Sequence, residues 1–451
     1  MRTLLINLPW NENARVGVRA GSRWPFTYKL DKDEAMHYLP FPFFLAYATA
    51  LLKKNNFEAK LIDAIAERMG ENQVITEIKS YSPGLLVIET STPSFANDIC
   101  LAIKIKEKAA DCKIALCGPH ASVFPDEILR DYGFIDFILI GEYEYILLDL
   151  VKQPGGDLDL SSVSGLAYRN ISGVKINSLR STIQNLDDLP WPERETLPIY
   201  KYNDGFCGLP RPNVQMWASR GCPFHCSFCL WPQTMYLEHT YRKRDPAKVA
   251  DEMQWLIEGL RFKAVYFDDD VFNIDKNYVF NMCAEIKKRK IKVPWAVMSR
   301  ADLMDEEMLR ELAGSGLFAI KYGLESADQR ILDSCKKKLN LEYASKMIEV
   351  TKRLGIKVHL TFCLGLPGED RKTARETLDF INNIQPDSLQ VSYATPFPGT
   401  KYYEYAKDKN YLLSGDWREF DGGQGCIVRT EELTGDELRQ IRNDFYSSFD
   451  L

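Results

Sequence analysis

The sequence has no excess of basic residues: 57 Lys and Arg stand against 63 Asp and Glu, a formal net charge of −6. That balance offers no cationic footprint for nucleic acid. Apolar runs long enough to span a membrane are also missing. The most apolar stretch, HYLPFPFFLAYATALL (37–52), carries two prolines and reads as a loop entering a buried helix. The opening MRTLLINLPW is a short apolar run without the features of a leader, so a soluble, cytoplasmic protein is expected. Internal repeats, low-complexity segments and the GxGxxG phosphate loop are all absent.

With 451 residues the chain is too long for one core and predicts two or three domains. In its first third, apolar strand-like runs at 4–9, 59–65, 84–91, 113–118 and 137–142 alternate with helical patterns such as FANDICLAIKIKEKA. That rhythm predicts a doubly wound parallel sheet over 1–155, with its ligand beyond the carboxyl ends of the strands. Three such ends are polar or small: Thr90-Ser91-Thr92-Pro93-Ser94, Gly118-Pro119-His120 and Gly141-Glu142. Residues 156–210 are rich in Pro, Gly and Asp and read as a linker with a small hairpin, GLAYRNISGVKI. A second alternating block over 211–400 has six strand–helix units, the pattern of a partial (β/α)6 barrel with function on the loops after the strands. One of its helices opens on Asp245 as N-cap with Pro246 behind it. The tail, 401–451, is expected to be a small helical extension.

Eleven cysteines are an odd number, and three of them crowd into RGCPFHCSFCLWP (220–232). In a reducing compartment, clustered thiols point to metal rather than to disulfides. Cys222, Cys226 and Cys229 can hold three corners of a [4Fe–4S] cube and leave the fourth iron open to a chelating ligand. The competing structural reading is a Cys3His zinc knuckle using His225. The charge runs at 103–108 and 286–292 read as solvated helix faces, and Trp10, Trp24 and Trp217 as packing or cavity lining.

The cysteine loop resembles that of the radical S-adenosylmethionine (SAM) enzymes, with Phe228 at the aromatic position before the last cysteine. Its continuation resembles the subgroup with an N-terminal cobalamin-binding domain, and the likeness extends over about 1–400. YFDDDVF resembles that subgroup's second-strand signature, which implies Asp268 and Asp269 near the amino group of SAM. KYGLESADQRIL implies Glu325 and Ser326 near the ribose and carboxylate, and Arg300 is a candidate carboxylate partner. FCLGLPGED implies backbone approach to adenine at Gly365 and Leu366. In the first block, PFFLAYATALLKKNNFEAKLIDA and CGPHASVFPDEIL resemble cobalamin-binding domains, although the DxHxxG motif that supplies a cobalt ligand is absent. The resemblance implies cobalamin contacts from Thr90, Ser91, Thr92, Ser94, Gly118, Pro119, His120, Gly141, Glu142 and Glu144.

The implied cofactors are a [4Fe–4S] cluster, SAM and cobalamin. The implied activity is methylation of an unactivated carbon: one SAM supplies the methyl group to cobalamin, and a second yields a 5′-deoxyadenosyl radical. Catalytic side chains beyond the cofactor ligands are not legible. A small-molecule or peptidyl substrate and an external flavodoxin- or ferredoxin-type electron donor are expected as partners. Two alternatives stand beside this reading: a cobalamin-dependent ring-forming or rearranging enzyme, and a non-catalytic cobalamin or iron–sulfur sensor.

Overall fold

The computed structural model describes residues 1–12, 15–29, 38–153, 159–423 and 425–449. The His37 end of the apolar stretch and the opening of the linker at 156–158 lie outside those residues.

The first sheet has seven strands: β1 (Thr3–Asn7), β2 (Ala59–Asp63), β3 (Leu85–Glu89), β4 (Lys113–Cys117), β5 (Phe137–Leu139), β6 (Leu166–Asn170) and β7 (Gly173–Ile176). Their order is β7-β6-β5-β4-β3-β1-β2. Strands β1 to β5 are parallel, while β6 and β7 run antiparallel at one edge. Every residue of β1 and β3 is buried because helices cover both faces. Leu5 packs with the helix Phe43–Lys54 on one face, and Leu4 and Ile6 with Ile99 and Ala102 on the other. The order reverses between β1 and β3, the switch point where doubly wound sheets take their ligands. The hairpin read as part of the linker is an extension of this sheet: Leu166, Ala167 and Tyr168 are buried and pair with β5.

The second sheet is β8 (Asn213–Met216), β9 (Ala264–Phe267), β10 (Trp295–Ser299), β11 (Leu317–Glu325), β12 (Lys357–Leu364) and β13 (Ser388–Tyr393), all parallel and in chain order. This is the expected partial barrel. Five of its helices open on aspartates whose carboxylates accept first-turn amides, at Asp245, Asp275, Asp305, Asp328 and Asp370.

The tail does more than extend the fold. Helix Gly435–Ser448 buries Leu438 and Phe445 in the barrel core, and Arg442 Nε and the Tyr446 hydroxyl donate to the Val391 carbonyl on edge strand β13. Between that helix and Lys401–Asp408 the chain is largely irregular, so the tail is less helical than its sequence predicts.

A further small sheet was not legible in advance. Asn11–Glu12, Arg15–Val18 and Phe26–Lys29 form three antiparallel strands, a strap lying between the two large sheets.

Candidate active site

The cysteine loop begins at the carboxyl end of β8. Ser219–Arg220 pairs with Arg242–Lys243, which pinches the loop's entrance. Gly221 has φ +86°, and a Cβ there would lie 2.2 Å from the Thr240 carbonyl oxygen, so the turn into Cys222 admits only glycine. Burial pushes the Cys222 thiol up to about 12 and raises Cys226 and Cys229 in the same direction, with Asp270 and neighbouring thiols adding to the effect at Cys222 and Cys229, and Glu325 at Cys226. A bound metal's positive charge would oppose that rise. Among the described residues, no three His, Cys, Asp or Glu side chains are gathered around a single-ion position. His225, the fourth ligand of the zinc alternative, is exposed and packs on His239 at 4.0 Å between ring centroids.

The three aspartates after β9 hold the approach to this loop. Asp269 accepts from the Ala218 amide at 2.8 Å and the Ser219 hydroxyl at 2.7 Å. Asp270 accepts from the Gly221 amide and the Tyr236 hydroxyl, each at 2.8 Å. Asp268 and Asp270 share Arg23 of the strap, at 2.8 and 2.7 Å. The sequence alone showed no cation for these carboxylates; the structure supplies one from 245 residues away. Burial still pushes Asp268 up to about 6 and Asp269 up to about 7.

At the next strand ends, Arg300 grips Asp302 at 3.0 and 2.8 Å and lies 3.7 Å from the centre of the Phe224 ring, inside the cysteine loop. Glu325, at φ +71°, pairs with Lys337 at 2.9 Å and accepts from the Cys363 thiol at 3.4 Å. Ser326 is buried and accepts from the Asp328 amide. Phe228 and Leu366 share one apolar cluster with Cys335, Cys363 and Tyr402, and Cys226 packs against it. Gly365 has φ +93°; its amide donates to Glu369, its carbonyl accepts from Tyr402, and a Cβ would meet Val428 at 3.0 Å. All the residues expected at SAM therefore lie at the carboxyl ends of β8 to β12 or on the loops that follow. Arg300 is committed to Asp302 within the protein.

Across from this loop lies the switch point of the first sheet. Thr90 and Ser94 both donate to Asp98 at 2.8 Å, and Asp98 pairs at 2.7 Å with Arg19 of the strap. Ser91 and Ser94 are hydrogen-bonded through their hydroxyls. Thr92 meets His120 Nδ1 at 3.2 Å. Burial pushes His120 down to about 3, so the ring is neutral, and Phe95, Phe124 and Trp417 enclose it. Gly118 and Gly141 both have positive φ, and Pro119 opens a short helix.

A cavity of only about 10 Å³ lies here, bounded by Arg19, Phe44, Thr90, Pro119, Trp231 and Met235. Glu142 and Glu144 turn instead onto the second domain: Arg242 donates to both oxygens of Glu142 at 2.7 and 2.9 Å, and Arg220 lies 2.7 Å from Glu144. Trp10 and Trp217 are core, with Trp217 stacked on Phe43 at 4.1 Å; Trp24 lies against Phe397.

A family profile for the radical SAM superfamily matches residues 218–381, and one for the B12 binding domain matches residues 37–151. The chain belongs to the radical SAM enzymes that carry a cobalamin-binding domain. Its fold agrees: the cobalamin-dependent SAM radical enzyme OxsB, solved with aqua-cobalamin and SAM, superposes with a TM-score of 0.75 at 18% identity, covering 99% of this chain and 66% of that one. Among curated relatives, an uncharacterised methyltransferase of Pyrococcus horikoshii is 27% identical, covering 91% of this chain and 88% of the relative. The anaerobic magnesium-protoporphyrin IX monomethyl ester cyclase of Rubrivivax gelatinosus is 28% identical, covering 82% of this chain and 66% of the relative.

Membership brings a [4Fe–4S] cluster, SAM and cobalamin as cofactors. The residues present fit all three. Three soft thiols suit iron–sulfur ligation. Carboxyl groups at the ends of β9 and β11 suit an ammonium group. At the domain boundary, both Glu144 oxygens, Arg220 Nη2 and Trp217 Nε1 are buried without a hydrogen-bond partner, and they suit an amide-bearing ligand. No described helix is long and apolar enough to cross a membrane.

Sequence reasoning missed Arg19, Arg23, Tyr236, Arg220, Arg242 and Lys337. The only signal was the spacing of four among the three arginines of RVGVRAGSRW, Arg15, Arg19 and Arg23.

Proposed function

We propose that the protein is a methyltransferase that places a methyl group on an unactivated carbon of a small-molecule or peptidyl substrate. The observation that carries this reading is the three-thiol loop, one ligand short of closure, on the functional edge of the barrel and facing the switch point of the cobalamin-binding sheet. The name of the Pyrococcus relative supports methyl transfer.

In this reading Cys222, Cys226 and Cys229 ligate the cluster. Phe228, Asp268, Asp269, Arg300, Glu325, Ser326, Gly365 and Leu366 surround SAM. Thr90 to Ser94, the Gly118–His120 loop, Gly141, Glu142 and Glu144 form the cobalamin side. Bound together, the cofactors supply a hydrogen-abstracting radical and a transferable methyl group. The protein's own work is positional. The thiol loop leaves one coordination position to SAM, the acidic strand ends take its ammonium group, and the apolar cluster around Phe228 and Leu366 keeps water out. Hydrogen abstraction from an unactivated carbon requires no side-chain base. The cavity at the switch point is far smaller than the roughly 300–1,000 Å³ of ordinary small-molecule sites, so seating a corrin there moves lining side chains such as Trp231 or Met235 aside. Electrons come from a flavodoxin- or ferredoxin-type donor in the cytoplasm.

The similarity to the Rubrivivax cyclase favours one second reading, ring formation without methyl transfer. Anaerobic turnover with methyl-labelled SAM separates them. Methylation gives labelled product, with S-adenosylhomocysteine and 5′-deoxyadenosine in equal amounts; cyclisation gives 5′-deoxyadenosine without S-adenosylhomocysteine or labelled product.

A further inference from the structure

Two of the strap's arginines, Arg19 and Arg23, lie four residues apart, and each ends in a different half of the molecule. Arg19 is buried and reaches the first sheet, donating to Asp98, to Asn7 at 3.0 Å and to the Leu8 carbonyl at 2.6 Å. Arg23 reaches the second. Its Nε donates to Asp270 at 2.7 Å, its Nη1 to the Asp268 carboxylate at 2.8 Å, and its Nη2 to the Asp268 carbonyl at 2.6 Å. The guanidinium lies 4.5 Å from the centre of the Trp231 ring, two residues beyond Cys229.

Three donors of one planar fork are thus spent on one strand end, a geometry that lysine cannot reproduce. Asp268 and Asp270 would otherwise repel each other in a buried site. Asp270 in turn holds the Gly221 amide before Cys222 and the Tyr236 hydroxyl beyond Cys229, so the two ends of the thiol loop meet on the carboxylate that Arg23 holds. The strap itself is pinned from behind. Trp24 Nε1 donates to the Gly422 carbonyl at 2.9 Å, the Gly422 amide to the Pro25 carbonyl at 3.0 Å, and the Thr27 amide to Asp421 at 2.8 Å. Arg23 is therefore a fixed group and not a surface side chain that happens to fold inward.

We propose that Arg23 is a positioning residue of the cysteine loop: it fixes Asp268 and Asp270, through Asp270 both ends of the loop, and it sets a permanent positive charge beside the cluster. The proposal rests on the reading that the loop ligates the cluster. A neighbouring positive charge favours the reduced, more negative cluster, so it raises the reduction potential.

The test uses the full chain reconstituted anaerobically, with iron and sulfide content and the cluster's midpoint potential as readouts. Arg23→Met should lose iron that the wild type retains through gel filtration, and its remaining cluster should titrate at a more negative potential. Arg23→Lys should bring the potential back toward the wild-type value while iron retention stays low, because one ammonium keeps the charge but cannot bridge both carboxylates. Tyr236→Phe keeps the test open should Arg23→Met fail to fold: it removes one hydrogen bond from Asp270, lowers retention and leaves the potential in place. A fully loaded Arg23→Met protein with the wild-type potential overturns the proposal. So does an equal fall in potential for the Met and Lys variants, or full retention in Tyr236→Phe. A wild-type chain that takes up no iron and sulfide defeats the cluster reading itself, which the other outcomes leave standing.

Discussion

The Arg220 guanidinium lies 2.7 Å from Glu144 across the boundary between the two large sheets, and neither side chain is more than 2% exposed. Arg220 stands two residues before Cys222, with Phe44, Tyr47 and Trp217 packed around its charge. Burial raises Glu144 above the usual carboxylate range, and Arg220 opposes that rise. The pair is close but misaligned, since neither Glu144 oxygen has a hydrogen-bond partner.

Removing one member of a buried pair strands the other. Glu144→Gln should destabilise the protein by about 3 kcal/mol, the low end of the range for such breaks because Glu142 remains 3.3 Å from Arg220. Denaturant unfolding at neutral pH measures it. The double variant Arg220→Met/Glu144→Leu should recover much of the loss, because neither charge is then buried unpaired.

Glu369 predicts a pH dependence. Its carboxyl is buried and pushed up to about 8 by desolvation, against an ordinary value near 4.3. The folded protein therefore holds a proton that the unfolded chain has released between those two values. The resulting stability is fully present below about pH 4.3 and is lost as pH rises through about 8. Glu369→Gln keeps an acceptor for the Gly365 amide and should flatten the fall in melting temperature between pH 5 and pH 8, removing a slope of up to about 1.4 kcal/mol per pH unit. An unchanged slope would place that proton elsewhere.

Gly221→Ala tests the entry to the thiol loop. The substitution forces a side chain into positive φ, at about 1–2 kcal/mol, and against the Thr240 carbonyl. The expected result is a folded protein that fails to retain iron. Gly365→Ala should cost a similar amount through Val428 and Leu438 while iron is retained, because the side chains a Cβ would meet belong to the tail and not to the thiol loop.

The parts legible in the sequence were those whose information is local. Buried parallel strands such as LLIN and LLVIE read as continuous apolar runs, and helix starts such as Asp245-Pro246 carry their own caps. The thiol loop is legible because its cysteines fall within eight residues. The strap was not, since its strands are short and its arginines find their partners far along the chain, as Arg23 does with Asp268. Nor could the sequence show that Glu142 and Glu144 meet Arg242 and Arg220, since that requires the two halves to be docked. Tryptophans illustrate the same limit: Trp10 and Trp217 are core, whereas Trp24 ties the strap to the tail.

The most direct test of the central claim is the paramagnetic resonance spectrum of the anaerobically reconstituted, reduced protein with and without SAM. The account predicts a [4Fe–4S] signal that shifts when SAM is added, because Cys222, Cys226 and Cys229 leave one iron for it, and that is lost in Cys226→Ala. Zinc bound at the three thiols, or a cluster signal indifferent to SAM, would contradict it.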